Sequence, residues 1–484
     1  MRTARLAAFV IAAVLVPAAS AMAANMPVIT DPYTNASSQH QTAVEPDTFA
    51  FGNTLVVTSQ IGRFFDGGSS GTGFATSTDG GATFASGPLP GLTNQPPVGG
   101  GTFARTTDPA VAYDAAHNVW MISSLALAAD VSGAAILVNR STDGGLTWND
   151  VRTVSTAPAG ADYDKNWVVC DNGAASPFRG HCYHTWDDFG DGDRILMSTS
   201  TDGGVTWSAP VQTERGVFGL GGQPVVQPDG DVIVPAANAF ETAIIAFRST
   251  DGGATWGDEV VVSRSRTHNV AGNLRNGPLP SAEIGSNGRV YAVWQDCRFV
   301  KGCKSDDIVM STSTDGVTWT AVTRVPINDG GDHFIPGIGV NPGTPDQLGL
   351  TYYYYANPAC GKKNGPPCQL SVGYVQSNDG GATWSDKQVL AGPFPVAWTP
   401  DTSQGRMVGD YISTSWLNGR AFGAFAVATE PVGGVFDQRI YVPQGGVLST
   451  GPFPNARVRE QSFSDNGARN ANPRSVIRPA KKEE

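Results

Sequence analysis

The chain has 484 residues, longer than one average domain. Its 59 glycines and 15% charged residues suit many short strands joined by tight turns, a composition found in large repeat folds. A formal net charge of −11 excludes the basic surface that nucleic acid as a partner requires.

Residues 1–23 read as a secretory signal peptide. Arg2 and Arg5 form the charged start, residues 6–16 the apolar core, and Ala21-Met22-Ala23 a small-residue cleavage site. The apolar run is shorter than a bilayer span, and no later stretch is long and apolar enough to cross a membrane as a helix. The mature protein is therefore expected to be secreted and extracellular, with no membrane span after cleavage, and a monomer.

From there to about residue 450 the chain is organised by one recurring stretch. Ser141-Thr142-Asp143-Gly144-Gly145-Leu146-Thr147-Trp148 recurs at 77–84, 200–207, 249–256 and 377–384, with a shortened copy at 313–319. The aspartates are Asp79, Asp143, Asp202, Asp251, Asp315 and Asp379, at intervals of 49 to 64 residues. A fixed motif at that period marks a repeat architecture. Each copy follows a run rich in apolar and β-branched residues, such as Ala135-Ile136-Leu137-Val138, and precedes another extended segment, so each predicts a hairpin turn. The carboxylate can accept from backbone N–H groups of the turn, and the glycines supply backbone angles closed to other residues. The Trp, or Phe84 in the first copy, is apolar mass expected to plug between neighbouring sheets.

These six boxes resemble the Asp box of the sialidase-like (neuraminidase superfamily) BNR-repeat β-propellers, and the resemblance extends over about residues 46–444. It implies an all-β fold: a single propeller over residues 24–450, built from four-stranded blades that each run from an inner to an outer strand. Six blades carry boxes. A further unit without a box, at 407–443, reads as a seventh, with residues 25–30 supplying its outermost strand and closing the ring. A six-bladed disc with 407–443 as an appendage is the alternative. Closure would remove exposed sheet edges. Residues 451–484 turn polar and Arg-rich and read as a flexible tail.

The six cysteines fall as local pairs, Cys170 with Cys182, Cys297 with Cys303 and Cys360 with Cys368. An even count in an exported chain favours disulfides, and the spacings lack the CxxC pair of a zinc site. The acidic run 187–193 offers Asp187, Asp188, Asp191 and Asp193 as oxygen ligands for calcium. It lacks the full spaced pattern with a terminal Glu, so a solvated acidic turn competes with that reading. No cofactor is required by the resemblance.

In the related propellers the active site lies on the face opposite the boxes. The residues that matter are therefore those entering each innermost strand or leaving the second. They include Asp47, Gln60, Arg63, Arg105, Asp108, Asp164, Lys165, Asp187, Gln223, Asn238, Arg275, Asp296, Arg298, Asp332, His333, the run 352–355, Arg406, Asp410 and Tyr411. Any single one of these carboxylates is more often a loop cap than a catalyst.

The resemblance further implies an arginine triad clamping a carboxylate, a Tyr–Glu nucleophile pair and an Asp acid/base. Forked guanidinium groups suit that clamp. Arg63, Arg275, Arg298 and Arg406, with His333, are the substrate-binding candidates. Tyr411, Asp410, Asp187 and Asp296 are the catalytic ones, with Glu283 a partner for Tyr411 or a strand-entry residue. The Arg-Ile-Pro motif that brings the family's first arginine is absent. Three functions follow as expectations: a glycoside hydrolase acting on an extracellular glycan with a carboxylated sugar, a non-catalytic propeller that binds carbohydrate or protein, and a polysaccharide lyase.

Overall fold

The computed structural model describes residues 24–363 and 365–459. Residues 1–23, expected to be a signal peptide, and the chain beyond residue 459 lie outside it.

The described chain is all-β in a propeller-like arrangement, with two 3-10 turns as its helical content. It is a succession of antiparallel meanders. The first comprises Ala43–Phe51, Thr54–Arg63, Ser69–Ser77 and Ala85–Pro88; the second Arg105–Asp114, Val119–Leu127, Gly133–Ser141 and Asp150–Thr156. A single pairing, Ser69 with Thr106, joins these two into one sheet. The third has Tyr163–Cys170, Cys182–Asp188 and Arg194–Ser200, with Val211 bridging Met197 outside them. Later sheets are built on Val232–Asn238 and Ala243–Ser249, on Val290–Asp296 and Asp307–Ser313, and on Leu348–Tyr355 and Gln369–Ser377. The last sheet orders Ser413–Leu417, Arg420–Val432 and Val435–Pro443, then Asn25–Ile29 as its outer strand. That terminal pairing is in the expected place, with Asn25 opposite Pro443 and Ile29 opposite Ile440.

Strand faces are apolar on both sides because each sheet packs between two others. Leu125, Ile136 and Val138 of the second meander meet Val168 and Trp186 of the third in one buried cluster. The boxes add to this packing. Ser141 Oγ donates to Asp143 Oδ1 at 2.7 Å, and the backbone N–H groups of Leu146 and Thr147 donate to the same oxygen at 3.1 and 3.0 Å. The Thr147 hydroxyl takes Oδ2 at 2.7 Å. Asp79, Asp202, Asp251 and Asp379 repeat the serine and threonine contacts. In the shortened copy Ser313 Oγ still donates to Asp315, at 3.0 Å, and the N–H groups of Val317 and Thr318 reach the same oxygen. Gly145 has φ +85°, and a Cβ there would lie 3.1 Å from Thr76 of the preceding sheet, so glycine is required by both angle and space. The expected aromatic plugs divide. Trp148, Trp256 and Trp384 are fully buried, whereas Phe84, Trp207 and Trp319 are only half-buried.

All three disulfides pair as expected. The tail reading needs correction at its start. Val458–Arg459 pairs with Thr323–Arg324, and Asn455–Ala456 with Thr383–Trp384. The chain thus crosses two outer sheet edges before residue 460, covering unpaired backbone groups.

Candidate functional site

Four innermost strands share one irregularity near their entry. Register shifts occur between Val44 and Asp47, Thr107 and Ala110, Asp164 and Trp167, and Phe334 and Gly337. At these bulges Glu45, Asp108, Lys165 and Ile335 adopt left-handed backbone, with φ of 54°, 47°, 50° and 49°. A bulge re-aims a side chain that would otherwise follow the pleat, and a left-handed non-glycine residue costs about 1–3 kcal/mol. Three of the four residues so displayed are charged, and all three meet.

Lys165 Nζ lies 2.9 Å from Asp108 Oδ1, 2.6 Å from Asp410 Oδ2 and 3.9 Å from Glu45 Oε1. Arg275 places both Nε, at 2.7 Å, and Nη2 on the two oxygens of Asp410. Its loop is tied down by Asn273–Arg275 running beside Arg406: Arg275 N donates to Arg406 O and Arg406 N to Asn273 O, each at 2.7 Å. Glu45 accepts from Gln60 Nε2 and from the backbone N–H of Asp410 at 3.2 Å. Gln60 in turn accepts from Arg63 Nη1 at 2.9 Å. Gly409 makes this closeness feasible, since a Cβ on it would lie 2.9 Å from the Glu45 backbone.

The cluster sits at the strand ends opposite the boxes. The first box lies beside the turn after Ala43–Phe51, where Gly80 N bonds Asn53 O, whereas Glu45 is near that strand's start and Arg63 ends the next. Almost nothing here touches solvent: Glu45 is 1% exposed, Arg63 4% and Tyr411 6%. A cavity of about 10 Å³, room for roughly one water, is lined by Asp108, Lys165, Asn166, Trp167, Gly221, Gln223, Leu279 and Tyr411.

Burial sets the protonation states. It pushes Glu45 up to about 7, against the pull of Lys165. It would raise Asp410 too, but Arg275 and Lys165 outweigh it and hold that carboxyl well below the usual range. Burial would lower Lys165, yet Asp108, Asp410 and Glu45 keep it raised. Arg63 is brought down to about 10, by burial first and then by Arg275 nearby. Deeper along the inner strands, burial raises Asp47 to about 7 and Glu283 to about 8, with Asp47 adding to the Glu283 shift.

Of the residues singled out from sequence, Arg63, Gln60, Asp108, Lys165, Arg275, Asp410 and Tyr411 come together, with Gln223 beside them. Others do not join them as expected. Tyr411 donates to Pro109 O at 2.9 Å and stands edge-on to Trp167, so it forms no hydrogen-bonded pair with Glu283. The arginine triad is not assembled on a free clamp. The Arg275 fork holds Asp410; Arg406 donates to Thr399 O at 2.6 Å; Arg298 forks onto its own neighbour Asp296. Asp296 also accepts from the backbone of Arg266, so it braces a loop. His333 is buried against Asp329, at 2.7 Å, in a separate network with Lys387. Asp187 is buried in its strand, in register with Asp164. The calcium reading of the acidic run meets carboxylates already engaged. Asp188 accepts from Asp162 N and Gly190 N, and Asp191 pairs with Arg194 at 2.5 Å. Among the described residues no group of three or more His, Cys, Asp or Glu is arranged to hold a metal ion.

Sequence reasoning missed Glu45. A signal was present: Glu45-Pro46, Asp108-Pro109 and Ile335-Pro336 repeat one Xaa-Pro step at corresponding bulges.

Residues 180–329 match the family model described as a BNR repeat-like domain. No curated protein sequence matches the chain. Among solved structures, a polysaccharide lyase, an ulvan lyase bound to -[GlcA(1-4)Rha3S]-, has a TM-score of 0.50 at 11% identity, with 87% of this chain and 96% of that one covered. An alpha-L-arabinanase of Penicillium chrysogenum complexed with arabinobiose gives 0.46 at 13% identity, covering 88% and 100%. A Trypanosoma rangeli sialidase in complex with the inhibitor DANA gives 0.44 at 12%, covering 87% and 59%. At 11% identity the likeness to the lyase speaks to fold alone, and one propeller fold hosts many chemistries.

Proposed function

We propose, from the premise that this chain is a sialidase-like BNR-repeat β-propeller, that it is an exported, seven-bladed propeller that binds an acidic glycan. The ligand face is the one opposite the boxes. The seven-blade reading is supported by the two meanders joined through one residue pair, and by Asn25–Ile29 completing the last sheet. Export is supported by the three disulfides.

One observation carries the choice of ligand. Three cations, Arg63, Arg275 and Lys165, face three acids, Glu45, Asp108 and Asp410, and burial leaves Glu45 protonated below about 7. Within this hydrogen-bonded set the cations then exceed the carboxylates by one, with Asp164 adding a further negative charge beside Lys165 rather than beside Arg63. Among the described residues no carboxylate forms an ion pair with Arg63. A buried guanidinium with no carboxylate in contact, only Glu45, Asp410 and Asp108 at longer range, is costly unless an anion comes to it, and a sugar carboxylate matches its fork.

A second reading is favoured by a different observation. Glu45 and Asp410 are carboxyls whose environments push them in opposite directions, the arrangement in which one acts as acid and the other stays ionised. That supports glycoside hydrolysis with Glu45 as the acid. The Tyr411 hydroxyl, engaged with the Pro109 carbonyl, is not poised as a nucleophile, which favours binding over it.

The test is the mature protein on an array of sialylated, uronate-bearing and neutral glycans, in parallel with a panel of chromogenic glycosides. Binding of acidic members alone, weakened at least tenfold by Arg63→Gln in a variant that melts normally, supports the proposal. Turnover abolished by Glu45→Gln replaces it with the hydrolase reading. Products absorbing in the ultraviolet, formed without water, replace it with the lyase. Indifference to all acidic glycans ends it.

A further inference from the structure

Large exposed aromatics on this molecule are unevenly placed. Phe189, Phe218 and Phe240 are 40%, 41% and 74% exposed, and all three belong to loops at the strand ends opposite the boxes. Phe189 opens the 3-10 turn after Cys182–Asp188. Phe240 follows Val232–Asn238, the equivalent position one sheet on. Phe218 lies between them in the link that enters Gly219–Leu220.

Backbone contacts gather these loops. Phe218 bridges Arg194, and Ala239 N donates to Phe218 O at 3.4 Å. Gly192 sits so close that a Cβ on it would lie 3.8 Å from the Phe218 ring. The guanidinium of Arg194 lies over that ring, 4.4 Å from its centroid, and is itself held by Asp191. Arg194 therefore fixes one side of the ring and leaves a charged, hydrogen-bonding edge beside it.

These loops also lie close along the chain to the central cluster. Gly221, which lines the cavity beside Lys165 and Tyr411, is three residues from Phe218, at most about 10 Å along the chain. Leu220 packs with Leu279 of the same lining.

We infer that Phe218 and Phe240, with Arg194 and Asp191 at their edge, form an extended subsite that stacks a pyranose ring of a glycan chain whose acidic unit sits at the centre. A sugar ring offers an apolar C–H face and a rim of hydroxyls. Exposed rings bordered by an Arg–Asp pair offer the complement. A protein partner would call for a larger contiguous apolar patch. The inference rests on the acidic-glycan reading and adds a second point of contact to it.

The experiment measures binding of the intact protein to oligogalacturonates, hyaluronan fragments and oligosialic acids, each at two and six units. The expected result is a series in which the six-unit member binds at least tenfold more tightly than the two-unit member. Phe218→Ala/Phe240→Ala should remove that length advantage and leave two-unit binding unchanged. Phe51→Ala, an exposed aromatic at the box end, should change neither. A length advantage that survives the double variant, or is absent from the native protein, overturns the subsite while leaving the central reading intact. Binding to no member at either length overturns both.

Discussion

The two ends of the strands hold carboxylates in opposite circumstances. At the box end each aspartate is exposed or half-buried and finds its carboxylate partners within four residues, as Asp79 does. Asp79 is held below the usual carboxylate range, chiefly by the Thr83 hydroxyl and backbone. At the other end Glu45, Asp108 and Asp410 are buried and find partners 57, 135, 245 and 365 residues away. The box is a local device copied six times. The centre is a single object that exists only when the separate sheets converge. Damage should therefore be graded and additive at one end and sharp at the other.

The largest expected effect is at Lys165. Lys165→Met removes the cation that touches three acids and leaves their charges buried without compensation. Breaking one partner of a buried ion pair costs about 3–5 kcal/mol. Denaturant unfolding should register a loss of that size, or the variant should fail to accumulate. A loss under about 1 kcal/mol would mean that water reaches the cluster freely and that the centre behaves like the box end.

Next comes Gly409→Ala. The substitution touches no charge, yet its Cβ would meet the Glu45 backbone at 2.9 Å and the φ of +149° disfavours any side chain. We expect about 1–3 kcal/mol of destabilisation and, in the same variant, weaker acidic-glycan binding, because Asp410 and Glu45 are displaced together.

The pH dependence separates the ends without mutation. Glu45, Asp47 and Glu283 have folded-state values raised to about 7, 7 and 8 from ordinary carboxyl values. A raised carboxyl contributes stability that is present below its unfolded value and lost as pH climbs through the folded one. Stability should fall between about pH 4.5 and 8, by no more than about 1.4 kcal/mol per unit per group. Glu45→Gln should flatten part of that slope. Asp410 and the box aspartates are depressed, so their contribution is present above the unfolded value and lost as pH falls below about 4. A stability that rises steadily from pH 5 to 8 would contradict the burial of these three groups.

The same contrast explains what could be read from the sequence. Ser-x-Asp-Gly-Gly-x-Thr-Trp carries donors, acceptor and turn glycines within eight residues, so the hairpins and their spacing were legible, as were three cysteine pairs closing short loops. The gathering of the site residues at the strand ends opposite the boxes was expected from the resemblance together with the strand order. Their wiring was not. Nothing near Arg275 in the chain says that its fork closes on Asp410, and nothing near Tyr411 says that its hydroxyl meets Pro109 O. Arg298 shows the converse error. It was assigned to a distant clamp when a partner two residues away, Asp296, was geometrically available. Glu45 was passed over because Val44-Glu45-Pro46-Asp47 reads as an ordinary strand start; only the shared left-handed bulge sets it apart.

The smallest effect should come from the boxes. In Asp143→Ala the Ser141 and Thr147 hydroxyls and two backbone N–H groups lose their acceptor, but most of these donors lie at the surface and water replaces it. An exposed interaction of this kind contributes little alone. Trp148, fully buried, and the Thr76 Oγ1 bond to Gly145 O at 2.6 Å still pin the hairpin to the preceding sheet. One substitution should lower the melting temperature by about 2 °C or less, on the usual scale for a large domain. Because the boxes share no partners, removing Asp143, Asp251 and Asp379 together should give close to the sum of the single losses. A cooperative collapse in the triple variant would show that the box end, too, is one object, and the division between the two ends of the strands would have to be abandoned.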